Sequence, residues 1–280
     1  MKKHNLVFIL LLVLVNSISA QKDTSYVRHR KIVKNGILYA SWGYNTEWYT
    51  TSNIHIDQPG LGNNYTFNGI QAHDHRGWDD ALLDQQPTIP EYNYRLGYFF
   101  DAKQVWALEL NFDHAKYVVK YGYYSNITGQ MNGQNVNTTV GINANVLEWQ
   151  LNNGANWLEL AIARRINFYE AKSRKLIIYS LIKVGAGPNI PHVQDVVFGE
   201  PNNQHFQVGG WNMGTEGALR LVFLKYFYGE FEGKLVYARY SQLHIYDGRA
   251  AQAFGATEII ANLGVCVPLG KGNADFSAAQ

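Results

Sequence analysis

The chain has one cysteine, Cys266, among 280 residues. No intrachain disulfide can form, so burial and hydrogen bonding must hold the fold. Proline is scarce, at 7 residues, which permits long uninterrupted elements. Beyond residue 20 no run of about 18 apolar residues occurs, so no helix is expected to cross a membrane. Basic charge is not in excess. Removing Lys2 and Lys3 from the 24 basic residues leaves 22, against 22 acidic ones. That balance argues against a nucleic-acid partner. Gly-x-Ser-x-Gly, phosphate-loop and His-Glu-x-x-His motifs are all missing, so the sequence has none of these hydrolase, nucleotide or zinc-protease signatures.

What the chain does have is Tyr, Phe, Trp, Gly and Asn, a composition suited to strands joined by polar loops. It opens with Lys2 and Lys3, then an apolar stretch from Leu6 to Val15, then Asn16-Ser17-Ile18-Ser19-Ala20. This predicts a secretory signal peptide over 1–20, cleaved after Ala20 to leave Gln21. No cysteine follows the cleavage point, so no lipid anchor is expected. An exported chain that re-enters a membrane without apolar helices must do so as a barrel.

Residues 91–120 carry the barrel signal. Tyr92, Tyr94, Leu96, Tyr98 and Phe100 alternate with Asn93, Arg95 and Gly97. Trp106, Leu108, Leu110 and Phe112 alternate with Glu109, Asn111 and Asp113. Alternate strand side chains point to opposite faces, so one face of this hairpin is apolar and the other charged. Eight such strands are predicted: 36–48, 91–101, 104–119, 155–169, 174–187, 206–224, 228–245 and 253–268. The connections 101–103, 170–173 and 225–227 are short, while 49–90, 120–154 and 188–205 are long. Short turns at one end and long loops at the other are the outer-membrane pattern. The prediction is an all-β fold, an eight-stranded antiparallel up-and-down transmembrane β-barrel with long extracellular loops. It spans 36–269, after a periplasmic segment 21–35 and before a tail 270–280.

Three features strain the pattern. Arg164 and Arg239 fall on the lipid side, so each must lie near an interface or beside a bulge. Strand 174–187 is apolar on both faces. The polar interior of so narrow a barrel must be filled and internally paired. A turn centred on Ala102 sets Arg95 across from Glu109, Asn93 across from Asn111 and Tyr98 across from Trp106. Asp113, Glu159 and Arg165 are expected to join a structural Arg95–Glu109 ion pair. Cys266 reads as a small interior filler.

The long connection 49–90 holds His55, Asp57, His73, Asp74, His75, Asp79 and Asp80. His73 and His75 are two apart, as chelating residues on a strand can be, and imidazole with carboxylate suits zinc or a similar ion. The competing reading is a hydrogen-bonded outer loop with a hairpin formed by 53–57 and 64–75. Binding, if present, is assigned to His55, Asp57, His73, Asp74 and His75, with His73 and His75 the metal candidates. No catalytic residue and no cofactor is assigned.

The stretches Ser41-Trp42-Gly43-Tyr44-Asn45, Ser52-Asn53-Ile54-His55-Ile56, Tyr92 to Phe100 and Leu110 to Val119 resemble a family of exported β-barrel proteins common in Bacteroidota. The resemblance covers most of the mature chain and implies an outer-membrane location. It specifies no substrate. The last strand departs from the usual aromatic ending of such barrels, closing on Cys266-Val267-Pro268-Leu269. The expected role is non-enzymatic, structural or binding through the outer loops. The expected partners are outer-membrane lipids, the barrel-assembly machinery and an envelope protein complex. The alternative is an enzyme acting on lipid A or phospholipid at the outer rim. Barrels of that kind use a His-x-Ser motif, whereas here His205-Phe206-Gln207 and His244-Ile245-Tyr246 lack the serine.

Overall fold

A computed structural model describes residues 36–77, 90–101, 103–173 and 175–269. The expected signal peptide 1–20, segment 21–35 and tail 270–280 lie outside the described residues, as do Asp79, Asp80 and Ala102. The described chain is all-β and antiparallel, with a single 3₁₀ turn at Pro59–Leu61. In chain order the strands are β1 (Ile37–Tyr49), β2 (Ser52–Gln58), β3 (Asn63–Ile70), β4 (Ala72–His73), β5 (Tyr92–Phe99), β6 (Trp106–His114), β7 (Tyr117–Val119), β8 (Tyr124–Met131), β9 (Gln134–Gly141), β10 (Leu147–Leu151), β11 (Trp157–Glu170), β12 (Leu176–Pro188), β13 (Gln194–Val197), β14 (Glu200–Asn203), β15 (Gly210–Phe223), β16 (Phe227–Ile245) and β17 (Gly248–Pro268).

The long strands are the ones the alternation predicts. They pair in the order β1-β5-β6-β11-β12-β15-β16-β17, and β17 pairs again with β1. Burial follows the two-residue period. In β16, Tyr228, Glu230, Glu232, Lys234 and Val236 are buried, while Phe227, Phe231, Leu235 and Tyr237 are exposed. The sheet therefore presents apolar side chains outward and charged ones inward. Strand β12 is apolar on both faces because Tyr179 and Leu181 pack inside with Tyr39, Phe99, Val222 and Tyr228, as an apolar layer at one end. Leu176 and Ile182 face out.

Within the described residues the long connections fold into strands rather than loops, which corrects that expectation. β2 pairs with the outer end of β17 (Arg249↔Asp57 to Ala253↔Asn53), and β3, β8 and β9 extend the sheet from there. A second sheet, ordered β14-β13-β10-β7-β4, packs against this extension. The hairpin expected from 53–57 and 64–75 is present as β2 and β3, with His55 opposite Thr66. Between the two sheets lie Ile54, Phe67, Tyr117, Leu147 and Trp149, all fully buried. Together they form a folded cap. Its core is continuous with Trp157, Ala238, Tyr240 and Phe254 on the long strands. The polar edges of the buried aromatics are satisfied, as such rings require. Trp149 donates to Gln252 at 3.0 Å, and Trp157 donates to the Tyr240 hydroxyl at 2.8 Å.

Candidate functional site

Because Trp106, Leu108 and Leu110 point outward from β6, Glu109, Asn111 and Asp113 point inward. The same parity brings Lys183 in from β12, Glu216 and Arg220 from β15, and Glu230, Glu232 and Lys234 from β16. Four buried cations (Arg95, Lys183, Arg220, Lys234) lie within 4.0 Å of six buried carboxylates (Glu109, Asp113, Glu159, Glu216, Glu230, Glu232), with Glu258 on the same face. Lys183 Nζ lies 2.7 Å from Glu109, 3.0 Å from Glu232, 3.2 Å from Glu216 and 3.8 Å from Glu230. Lys234 Nζ lies 2.6 Å from Asp113 and 2.9 Å from Glu159. Arg220 pairs with Glu230 and is flanked by the rings of Tyr39 and Tyr228 at 4.3 and 4.0 Å. Pairing of this kind offsets the cost of burying charge.

The expected register of the first hairpin is corrected by two residues. Arg95 stands opposite Asn111, Asn93 opposite Asp113 and Tyr98 opposite Leu108. Arg95 therefore pairs chiefly with Asp113 and reaches Glu109 only at 3.9 Å. Glu159 joins the network through Lys234. Arg165 sits near the opposite end of β11 from Glu159, over the Tyr179 ring at 3.8 Å, and donates to Asn167 and Gln104. Glu230, Glu232 and Lys234 carry no role in the sequence reading, although they alternate with Phe231 and Leu235 along their strand. Lys183, Glu216 and Arg220 escaped it, although each follows the parity of its strand.

The network is enclosed. One end is covered by the apolar layer of Tyr39, Phe99, Tyr179, Leu181 and Tyr228, the other by the cap core. The arrangement is an enclosed plug of paired charge.

The residues assigned to binding in 49–90 scatter. His55 and Asp57 lie on the face of β2 opposite Ile54 and Ile56, so they point away from the cap core. His55 Nδ1 is 3.1 Å from Thr66 Oγ1, and Asp57 accepts from Asn64 at 3.3 Å. His73 bonds the Asp74 carbonyl at 2.7 Å, and His75 bonds Asn152 at 3.0 Å. The two histidines are exposed and have separate partners. Asp74 differs. Its side chain is buried, and Oδ2 accepts from Thr46 Oγ1 at 2.7 Å and from the Glu47 amide at 3.1 Å. Cys266 is buried against the Lys225 carbonyl at 3.5 Å.

No family model matches the chain, and no curated protein matches it. Three solved structures are similar to it at low identity. One is the outer membrane protein OprG from Pseudomonas aeruginosa, with a TM-score of 0.39 and 9% identity, covering 84% of this chain and 98% of that one. The second is Ail, the attachment invasion locus protein of Yersinia pestis, with a TM-score of 0.33, 9% identity and coverage of 83% and 99%. The third is Ail in complex with the heparin analogue sucrose octasulfate, with a TM-score of 0.32, 11% identity and the same coverage. None of these matches carries the resemblance to a Bacteroidota family.

Proposed function

We propose that the chain is an outer-membrane protein. Its eight long strands close into a transmembrane barrel, and its role is structural or binding, exercised through the folded cap rather than through catalysis. The observation that carries this reading is inverted polarity. The outward face of the long strands bears Leu96, Leu108, Leu110, Leu160, Ile162, Val184, Leu219 and Leu263, all exposed. The inward face bears the charges. Water would favour the reverse, and hydrocarbon favours this arrangement.

Aromatic residues flank the apolar band at both ends, as at membrane interfaces. Trp42, Tyr94, Trp211 and Tyr237 lie toward the cap, and Trp106, Phe223 and Phe227 lie toward the short turns. This supports the membrane reading over a secreted soluble barrel. It also accounts for the two outward arginines. Arg164 stands opposite Trp106, with its guanidinium 5.8 Å from the ring, and Arg239 stands opposite Trp211. Each is level with an aromatic belt, and the register shifts of β11 and β16 fall beyond them. The filled interior supports a barrel that conducts nothing. The separate partners of His55, His73 and His75 favour binding or structure over chemistry at the rim. The proposed partners are outer-membrane lipids along the band, the assembly machinery, and an envelope component at the cap.

The test is sidedness in cells expressing the full chain. In a Cys266→Ala background, Ala144→Cys in the cap should react with an impermeant maleimide on intact cells. Ser173→Cys, at the opposite end, should react only after permeabilisation. Recovery in a soluble fraction, or labelling of both sites alike, would sink the proposal.

A further inference from the structure

Three carboxylates meet where the long strands join the cap. Glu47 is near the outer end of β1, Glu91 immediately precedes β5, and Asp74 follows β4. One oxygen from each lies within 4.8 Å of the others. Glu47 and Glu91 are 1% and 0% exposed, and the Asp74 side chain is 6% exposed. Each carboxylate uses one oxygen for its own positioning. Glu47 Oε1 accepts from Asn45 Nδ2 at 2.7 Å, and Glu91 Oε1 accepts from the Lys116 amide at 2.6 Å. Asp74 Oδ2 is held by Thr46, the Glu47 amide and Arg76. The remaining oxygens, Glu47 Oε2, Asp74 Oδ1 and Glu91 Oε2, are buried and receive no donor, and the Glu91 carboxyl meets those of Glu47 and Asp74 at a distance that only a shared cation or a shared proton satisfies.

We infer that these three oxygens form a binding site for a hard divalent cation, calcium by preference. The donor set is all oxygen, which suits calcium or magnesium and not the softer metals. Calcium binds oxygen at about 2.3–2.6 Å, so two oxygens on one ion can stand roughly 5 Å apart. Magnesium needs tighter spacing and strict octahedral geometry. The donors behind each carboxylate hold it in orientation, as outer-shell partners do at metal sites.

The electrostatics point the same way. Arg76 touches Asp74 at 3.3 Å, and the Lys116 ammonium also faces Glu91, Asp74 and Glu47, so two cations stand against three carboxylates before Glu258 is counted. Glu258, cross-strand from Glu47, brings a fourth buried carboxylate with neither oxygen partnered. A cluster so placed takes up either a cation or a proton. With three protein oxygens and water completing the shell, affinity falls in the range of extracellular calcium modules, about 10⁻⁴–10⁻³ M. The bound ion ties β1, the start of β5 and the cap edge into one unit. This inference does not depend on the membrane reading.

The full chain, purified in detergent and stripped with EDTA, is titrated with CaCl₂ at pH 7.5 beside Glu47→Gln, Asp74→Asn and Glu91→Gln. The wild type should bind one Ca²⁺, and its melting temperature should rise by about 5 °C at saturating calcium. Each variant should lose that rise and bind at least tenfold more weakly. Because each removes like-charge repulsion without changing shape, the calcium-free variants should melt no lower than the calcium-free wild type, which shows that they fold. Two results overturn the site. One is no calcium response in the wild type, with stability rising on acidification instead, which assigns the cluster to shared protons. The other is an undiminished calcium response in all three variants.

Discussion

Tyr39 lies directly against Gly97 on the neighbouring strand. A Cβ built on Gly97 would stand 2.0 Å from the tyrosine ring. The ring cannot swing aside, because its hydroxyl donates to Glu109 at 2.7 Å and Arg220 stacks on it at 4.3 Å. Gly97→Ala should therefore cost about 1–3 kcal/mol through overpacking. Gly233→Ala, where nothing lies within 4 Å, should cost far less. Urea unfolding of the two variants in lipid vesicles checks the contrast, and equal midpoints would refute it.

Lys183 is the hub of the interior. Replacing it with Met leaves Glu109, Glu216, Glu230 and Glu232 without their shared cation. The expected loss is about 3–5 kcal/mol, as when one partner of a buried ion pair is removed. Adding Glu109→Gln and Glu232→Gln should restore much of it. Heat-modifiable mobility on gels reports folding. A single variant as stable as the wild type would show that the network contributes little.

The membrane reading makes a depth-dependent prediction. Leu110 stands between Leu96 and Leu160 in the apolar band. Leu110→Arg should cost about 2–4 kcal/mol. Arg164→Leu, level with Trp106, should change stability by less than about 1 kcal/mol. Similar effects at both positions would argue against a hydrocarbon slab around these strands.

Asp195, on β13 of the cap, accepts from Asn202 at 2.6 Å through one oxygen, while the other has no partner. Burial pushes its carboxyl up to about 7. A carboxyl raised on folding stays protonated where the unfolded chain has already ionised, so cap stability should fall as pH rises from about 4 to about 7 and then level off. The ceiling on this effect is about 4 kcal/mol. Asp195→Asn should abolish the slope. Hydrogen exchange across β13 and β14 at pH 4.5 and 7.5 measures it, and an unchanged slope in the variant would exclude Asp195 as its source.

The long strands were legible because their faces differ in polarity along their whole length. β16 repeats the alternation from Phe227 to Tyr240. The register of β5 on β6 was not legible. The observed pairing differs from the expected one by two residues, a shift that leaves every side chain on the same face and so leaves no trace in the pattern. The cap was invisible for another reason. β4, β7 and β10 are two, three and five residues long, too short for periodicity to register. Glu47 and Glu91 lie in unrelated local contexts and share nothing in sequence with Asp74. By contrast, His73 and His75 look like a site because they are close in sequence. Their side chains nonetheless bond different partners.

β17 pairs with β16 along one edge and serves two neighbours along the other. Its inner part pairs with β1, and its outer end carries β2. The bond from Gln252 to Ser52, at 2.9 Å, spans 200 residues of chain. The edge of β2 that β17 covers therefore stays open until the last strand arrives, although β3, β8 and the second sheet lie earlier in the chain. Such long-range closure slows folding and prolongs exposure of sticky surface. A chain cut short before Gly248 would leave the β2 edge from Asn53 to Asp57 unpaired and Ser52 without its Gln252 partner, an exposed edge open to chaperones and proteases. The final strand thus acts as a completeness check: only a chain that reaches it can pair the outer edge of β2.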